Sequence, residues 1–403
     1  MTSAAITDPT PELSAFRAET RAWLEANCPA EMRQPMTSED DVCWGGRRCQ
    51  FSSPAQKQWL DVMAARGWTV PTWPRAYGGA GLSSLEAKVL AQEMRALNCR
   101  SPLNSFGIWM LGPALLQFGT DAQKLEHLPP IARGEIRWCQ GYSEPNFGSD
   151  LAGLQTRCED KGDHFIVNGQ KVWTSYADRA DWMFCLVRTD PAAVKHAGIS
   201  LVLFDMNTPG VTTRPIRLIS GKSPFCETFL DDVRVEKDQL VGTLNKGWEL
   251  ATYLLTHERE MIGSIGQSST SAKSLHDHAV EQIGLAGGAL ADSVLRTDIA
   301  RWEMDNRAFE LTAERITDEA TAGQGVGAAS SMLKYTGTEI NKRRHELLVS
   351  IHGQRALAWE GDAYDHGLMA TQWLRTKGNS IEGGTSEIQL NIIAKRILGL
   401  GKE

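Results

Sequence analysis

At 403 residues, 42% hydrophobic and 23% charged, the chain is long enough for two or three domains and too apolar for a disordered polyampholyte. Lys and Arg total 42 against 49 Asp and Glu, a net charge of −7 without any block of like charge. That balance speaks against a nucleic-acid groove or an anionic membrane surface as partner. No apolar run approaches the roughly 18 residues of a membrane span.

The first residues, Met-Thr-Ser-Ala-Ala-Ile-Thr-Asp-Pro, lack the basic-then-apolar pattern of a secretory signal. Eight cysteines (Cys28, Cys43, Cys49, Cys99, Cys139, Cys158, Cys185 and Cys226) are scattered without a C-x-x-C pair. The expectation is a soluble cytoplasmic protein with reduced, mostly buried thiols.

From Glu12 to about Arg133 apolar residues recur at helical spacing, as in Leu13, Phe16, Trp23 and Leu24, or Leu85, Val89, Leu90 and Met94. Breaks are expected at Pro71, Pro74, Gly78, Gly79 and Gly81, at Pro113, and at Pro129-Pro130. From about Trp138 to Val241 the texture turns to short β-rich runs, with Asn168-Gly169 predicting a tight type I′ hairpin between His164–Val167 and Lys171–Thr174. After Lys246 the helical period returns and persists to Gly399, with Gly-rich breaks near Gly287, Gly323 and Gly353. Helices, then strands, then helices predict an α+β protein, mainly α, rather than an alternating βαβ sheet. The expected domains are a helical one over 1–135, a small β-barrel over 136–243 and a helical bundle over 244–403.

In the helix starting near Lys246, Trp248, Ala251, Leu254, Leu255, Met261, Ile262 and Ile265 form an apolar stripe with Glu258 in its middle. A carboxylate there is desolvated, which raises its pKa toward that of a useful base. It reads equally as a buried structural carboxylate paired with an arginine from another helix. A second carboxylate, Glu382, precedes Gly383-Gly384-Thr385, and Ser386-x-x-Gln389 predicts a capping box opening the last helix. That segment reads either as an ordinary capped turn or as a cradle for an anionic ligand.

The run Gly141-Tyr142-Ser143-Glu144-Pro145-Asn146-Phe147-Gly148-Ser149-Asp150 clusters small and hydroxyl residues suited to a loop on a planar or phosphorylated ligand. Trp173-Thr174-Ser175 supplies an aromatic face beside hydroxyls. Gly323-Gln324-Gly325-Val326-Gly327 has no strand before it, as a dinucleotide loop requires. His257-Glu258 starts like a zinc-protease motif, but position 261 is Met, so no metal site is expected.

Together these segments resemble the acyl-CoA dehydrogenase family. Residues 141–153 look like its Ser/Thr-Glu-x-x-x-Gly-Ser-Asp flavin signature, Val167 to Trp173 like its Val-Asn-Gly-x-Lys-x-Trp segment, and Glu382 to Gln389 like its C-terminal Glu-Gly-Thr-Ser-x-Ile-Gln loop. Gly78-Gly79-x-Gly81 echoes an N-terminal pattern. The resemblance implies a helical domain, a β-barrel and a four-helix bundle, one FAD, and an acyl-CoA substrate desaturated to a trans-2-enoyl-CoA. It further implies an electron-transfer flavoprotein as acceptor and a homo- or heterotetramer. By matching positions, Gln140, Tyr142, Ser143, Gly148, Ser149, Trp173, Ser175, Thr385 and Glu387 contact FAD. Ser149, Arg259 and Gly383 lie toward the substrate.

The position that holds the catalytic glutamate in many members is Gly383 here, with Glu382 one residue early. Other members carry the base on the helix after the barrel, just before an arginine, as in Glu258-Arg259. Glu258 is therefore the expected base, with Glu382 the alternative. The overall tail is most similar to large subunits of pimeloyl-CoA-type dehydrogenases, some of which act with a sister subunit.

Overall fold

The computed structural model describes residues 10–36, 39–263, 273–321, 327–361 and 367–401. The chain divides into two compact units. The first takes Met1–Tyr142, Leu154–Thr213 and Thr228–Ala251, the second Ser143–Gly153, Arg214–Glu227 and Thr252–Glu403.

In the first unit, helices α1 (Pro11–Asn27), α2 (Pro54–Ala65), α3 (Ser84–Ala96), α4 (Gly112–Phe118) and α5 (Asp121–Ala132) account for the N-terminal periodicity. Thr10, Ser53, Ser83 and Thr120 cap α1, α2, α3 and α5, each side-chain oxygen accepting from a first-turn N–H. Leu24, Met32, Trp59, Met63 and Leu90 gather into one buried cluster. Pro113 makes no break: it lies within a continuous helical stretch over 106–118, just after the wide π turn Gly107–Leu111. Pro129-Pro130 does not break α5, contrary to the expected interruption. Both prolines lie in the last turn and keep their carbonyls in use, Pro129 accepting from Arg133 N–H at 3.1 Å and Pro130 from Glu135 N–H at 2.9 Å.

Strands β1 (Trp138–Gly141), β2 (Arg157–Asp160), β3 (His164–Ser175), β4 (Trp182–Arg188), β5 (Ile199–Asp205), β6 (Val211–Ile216), β7 (Phe225–Glu236) and β8 (Leu240–Val241) form one sheet. Its order is β6-β7-β3-β2-β4-β5-β8, with β1 pairing parallel to β4. Met183 to Val187 are all fully buried, as expected of a strand covered on both faces.

Asn168-Gly169 makes no hairpin; it lies inside the unbroken β3. Asn168 Nδ2 donates to Asp232 Oδ1 on β7 at 3.0 Å, and Asp232 N–H returns a bond to Asn168 Oδ1 at 2.9 Å. Gly169 is required by close approach, since a Cβ there would sit 2.6 Å from Thr156 Oγ1. The hairpin turns earlier, between β2 and β3, where Gly162 takes φ +95 and donates to Asp160 Oδ1 at 2.8 Å.

Helix α6 (Gly247–Gly263) leads into the second unit, followed by α7 (Leu275–Ile283), α8 (Ser293–Thr321), α9 (Ala329–His352), α10 (Leu368–Thr376) and α11 (Ser386–Ile392). Leu275, Ala279, Leu295, Ile299, Leu347, Leu348 and Ile351 form one core between α7, α8 and α9. The Gly287 break is a small hairpin, β9 (Leu285–Ala286) against β10 (Ala289–Leu290), turning on Gly287 and Gly288 at φ +59 and +80. Most of the Gly323 segment lies outside the described residues. No helix of the described residues is long and apolar enough to cross a membrane.

Candidate active site

The first unit presents Gln140, Tyr142, Trp173 and Ser175. Gln140 is half-buried on β1. The Tyr142 ring is buried edge-on against Phe184 at 6.0 Å, so the core takes its side chain. Its carbonyl accepts from Lys171 Nζ at 3.1 Å, and Lys171 is fully buried. Trp173 is 55% exposed although it sits on a sheet strand, and its φ is +59. Tyr176 has φ +52. Two left-handed non-glycine residues so close together are costly, and such strain gathers at ligand sites. Between them Thr174 Oγ1 is buried with no hydrogen-bond partner among the described residues, and Ser175 is half-buried.

In the second unit, Glu144 and Phe147 exchange backbone hydrogen bonds at 3.2 and 3.0 Å, a tight turn that leaves Gly148 and Ser149 exposed and Ser143 half-buried. A Cβ at Gly148 would meet nothing within 4 Å. The C-terminal loop is held by α9. Lys334, fully buried, donates Nζ to the carbonyls of Asn379 at 2.9 Å and Gly384 at 2.8 Å. Asn341 Nδ2 donates to Asn379 Oδ1 at 2.9 Å, and Lys342 Nζ to Ser380 Oγ at 2.7 Å.

Glu382 is committed on both oxygens. Arg375 Nη2 donates to Oε2 at 2.7 Å and Asn379 Nδ2 to Oε1 at 2.5 Å. Gly383 and Gly384 are left-handed, at φ +64 and +89.

The expected capping box is shifted by one residue. Thr385 is the N-cap, its Oγ1 accepting from Ile388 N–H at 3.3 Å. Gln389 turns back to donate to the Gly383 carbonyl at 2.8 Å instead of capping Ser386. With Gly384 left-handed, the chain enters the helix at Thr385. Glu387 is exposed; its own N–H, the Thr385 hydroxyl and the Lys334 charge hold its carboxyl below the usual range.

Glu258 and Arg259 lie on α6 by backbone, four and five residues past the fully buried Leu254; their side chains lie outside the described residues. Sequence reasoning missed Lys334, Arg375 and Asn379. A signal existed for the first: Ser330, Lys334, Gly337, Thr338 and Asn341 recur at helical spacing and are all buried, a stripe of small and polar residues on one face of α9.

Each unit by itself has chemistry that suits part of a flavin. In the first, the exposed Trp173 indole is a flat apolar face of the kind its ring needs. In the second, the exposed Gly148 and Ser149 leave room for close backbone and hydroxyl approach to phosphates.

A helical segment, a sheet and a second helical segment in this order match three family models. These are the N-terminal domain of acyl-CoA dehydrogenase over residues 10–135, its middle domain over 139–233 and its C-terminal domain over 245–398. The fold and site thus define a flavoprotein oxidoreductase. The acyl-CoA dehydrogenase IpdE1 of Mycobacterium tuberculosis is 34% identical over 392 residues, covering 97% of this chain and 99% of the relative. Acyl-CoA dehydrogenase FadE29 of the same organism is 32% identical, covering 96% of each. Among solved structures, one titled the Tcur3481-Tcur3483 steroid ACAD superposes with a TM-score of 0.78 at 29% identity, covering 98% of this chain and 99% of that one. The ChsE4-ChsE5 complex from Mycobacterium tuberculosis superposes with a TM-score of 0.74 at 27% identity, covering 99% and 100%.

The chain belongs to the acyl-CoA dehydrogenase family. It is an oxidoreductase of lipid metabolism acting on acyl-CoA, with FAD as cofactor.

Proposed function

We propose that this chain desaturates an acyl-CoA thioester between its α and β carbons, giving a trans-2-enoyl-CoA. Bound FAD supplies the acceptor for the β-hydrogen, which leaves as hydride. Glu258 takes the α-proton. It stands on α6 four residues past Leu254 and seven past Ala251, both fully buried, a spacing that by sequence continues the same helical face. Arg259, Ser149 and Gly383 lie toward the substrate. Gln140, Trp173, Ser175 and the backbone of Tyr142 hold FAD in the first unit; Ser143, Gly148, Ser149, Thr385 and Glu387 are its contacts in the second. We take its domains to be a helical one over 1–135, a β-barrel over 136–243 and a helical bundle over 244–403.

The observation that carries the choice of base is the engagement of both Glu382 oxygens by Arg375 and Asn379. A carboxylate so bound is held in place, with both oxygens already engaged by partners within the loop. The relative titled a steroid ACAD makes a steroid-bearing acyl-CoA the first substrate to test. An electron-transfer flavoprotein is the acceptor, and the protein works in the cytoplasm as a tetramer. Two-chain titles among the solved relatives favour a second reading, in which a sister subunit completes that tetramer.

The test is anaerobic titration with a panel of acyl-CoAs, followed by loss of visible flavin absorbance. Glu258→Gln is expected to slow bleaching by about 10²- to 10⁴-fold, the usual worth of a general base, and Glu382→Gln by less than about 10-fold. Equal losses in both variants would overturn the choice of base. Flavin that no acyl-CoA bleaches favours the sister-subunit reading.

A further inference from the structure

Between α1 and α2 the chain runs Cys43-Trp44-Gly45-Gly46-Arg47-Arg48-Cys49. Gly45 and Gly46 are left-handed, at φ +66 and +101, and Cys49 N–H donates to the Gly46 carbonyl at 3.1 Å. The segment folds back so that its terminal thiols meet: the two side chains are hydrogen-bonded to each other, and the Gly45 N–H bonds both sulfurs. Both thiols are free.

This turn is fixed from all sides. Gly46 N–H donates to the Gly134 carbonyl at 2.8 Å, Arg47 N–H to Asp181 Oδ2 at 2.9 Å, and Asn104 N–H to the Cys43 carbonyl at 2.7 Å. A Cβ at Gly45 would lie 2.4 Å from the Gly134 oxygen, so only glycine permits the approach.

The two sulfurs differ in environment. Cys43 is 3% exposed, whereas Cys49 is half-buried. The Cys43 S–H donates to the Cys49 sulfur. That bond, with lesser help from the Gly45 N–H and the Arg137 charge, lowers the Cys49 thiol to about 7 against burial and the Asp181 carboxylate. The same bond and burial drive the Cys43 thiol up. A reachable thiolate beside a buried partner thiol is the arrangement in which oxidation at one sulfur is resolved by the other.

We propose that Cys49 and Cys43 are an oxidation-sensitive dithiol that closes to an intramolecular disulfide on exposure to hydrogen peroxide. The Cys49 thiolate attacks one peroxide oxygen; the S–O bond forms, the O–O bond breaks, and the departing hydroxide is protonated to water. The Cys43 sulfur then attacks the Cys49 sulfenic acid; the S–S bond forms, the S–O bond breaks, and the hydroxide leaves with the Cys43 proton as a second water. Two thiols lose two electrons and one peroxide is reduced to two waters.

A second thiol pair provides an internal comparison. Cys28 and Cys99 are also hydrogen-bonded, and the Cys28 thiol is lowered, chiefly by that bond. Cys28, however, is 5% exposed, within the core of Leu24, Met32 and Trp59. The reactive sulfur of this pair is the enclosed one, so it oxidises later.

The experiment treats the FAD-loaded full chain with increasing hydrogen peroxide at neutral pH, alkylates the remaining thiols and maps tryptic peptides without reductant. Arg47 and Arg48 let trypsin cut inside the loop, so the disulfide joins two peptides that otherwise separate. Expected is a Cys43–Cys49 link that appears at lower peroxide than any other and is reversed by dithiothreitol. Cys43→Ser is expected to stop at a sulfenic acid on Cys49, captured by dimedone, and Cys49→Ser to leave Cys43 reduced. The proposal fails if wild-type Cys43 and Cys49 are still alkylated at doses that link Cys28 to Cys99 or oxidise other thiols. That wild-type readout stands whether or not either serine variant folds.

Discussion

Lys334 shows how a single residue can carry a loop. Its ammonium is fully buried on α9 and bonds the carbonyls of Asn379 and Gly384, so the chain around Gly383 is positioned by a helical residue 45 and 50 positions before those carbonyls. Lys334→Met keeps the apolar stem and removes the charge, taking the lysine donor from the buried Asn379 carbonyl and leaving the half-buried Gly384 carbonyl only the 3.4 Å bond from Gln389 Nε2. Each unsatisfied group costs about 1–3 kcal/mol, so urea unfolding is expected to show a loss of about 2–4 kcal/mol; a change below about 0.5 kcal/mol would contradict the role. A cation on a helix ordinarily faces water, so the sign of its burial in the sequence is the stripe of small and polar residues that shares its helical face, Ser330, Gly337, Thr338 and Asn341. Glu382 was legible as a carboxylate of interest, but its commitment to Arg375 was not. That pairing needs the turn between α10 and α11, which brings residues seven apart together.

At the scale of elements, turn chemistry decided where helices and strands end. Thr385 caps α11 through Ile388 N–H, one residue before the expected cap. Thr385→Ala is expected to lower stability by about 1 kcal/mol, read as a lower urea midpoint at unchanged slope. Asn168-Gly169 carried a strong hairpin signal that the sheet overrode. Asp232 on β7 offered the Asn168 side chain both a donor and an acceptor, and Thr156 needed the space that glycine leaves. Pro129-Pro130 was read as a break, yet α5 runs through both and ends at Ala132, two residues further on. The β4 and β5 strands, by contrast, are apolar runs that fall inside the β-rich stretch expected from about Trp138 to Val241.

Among the described residues, one buried histidine and three half-buried ones shape the response to acid. Burial lowers the pKa of His127, and His278, His345 and His352 are lowered first by the same cause. His127 is 1% exposed, set between Trp138 and Trp182 with Nε2 on Gln239 Oε1 at 2.9 Å. A histidine whose folded pKa lies below its unfolded value of about 6.5 takes up more protons when unfolded. Stability is therefore fully present above that pH and is lost as pH falls below it, toward each folded pKa. The urea midpoint is expected to drop between pH 7.5 and 5.5, with His127 contributing at most about 1.4 kcal/mol per pH unit and His127→Gln flattening the slope. A midpoint independent of pH over that range would show that these rings are protonated in the folded state.

By itself the sequence determined the order of helices, sheet and helices, and the family. These depend on local periodicity and on short runs whose chemistry is complete in a few adjacent residues. Tertiary structure alone decided which groups are already occupied: Glu382 by Arg375, the Gly384 carbonyl by Lys334, the Tyr142 ring by Phe184, and the Cys49 sulfur by Cys43. Occupancy of a side chain is set by what folding brings to it from elsewhere in the chain. Burial then fixes the strength of that contact, because desolvation and low dielectric act only once the surroundings are closed.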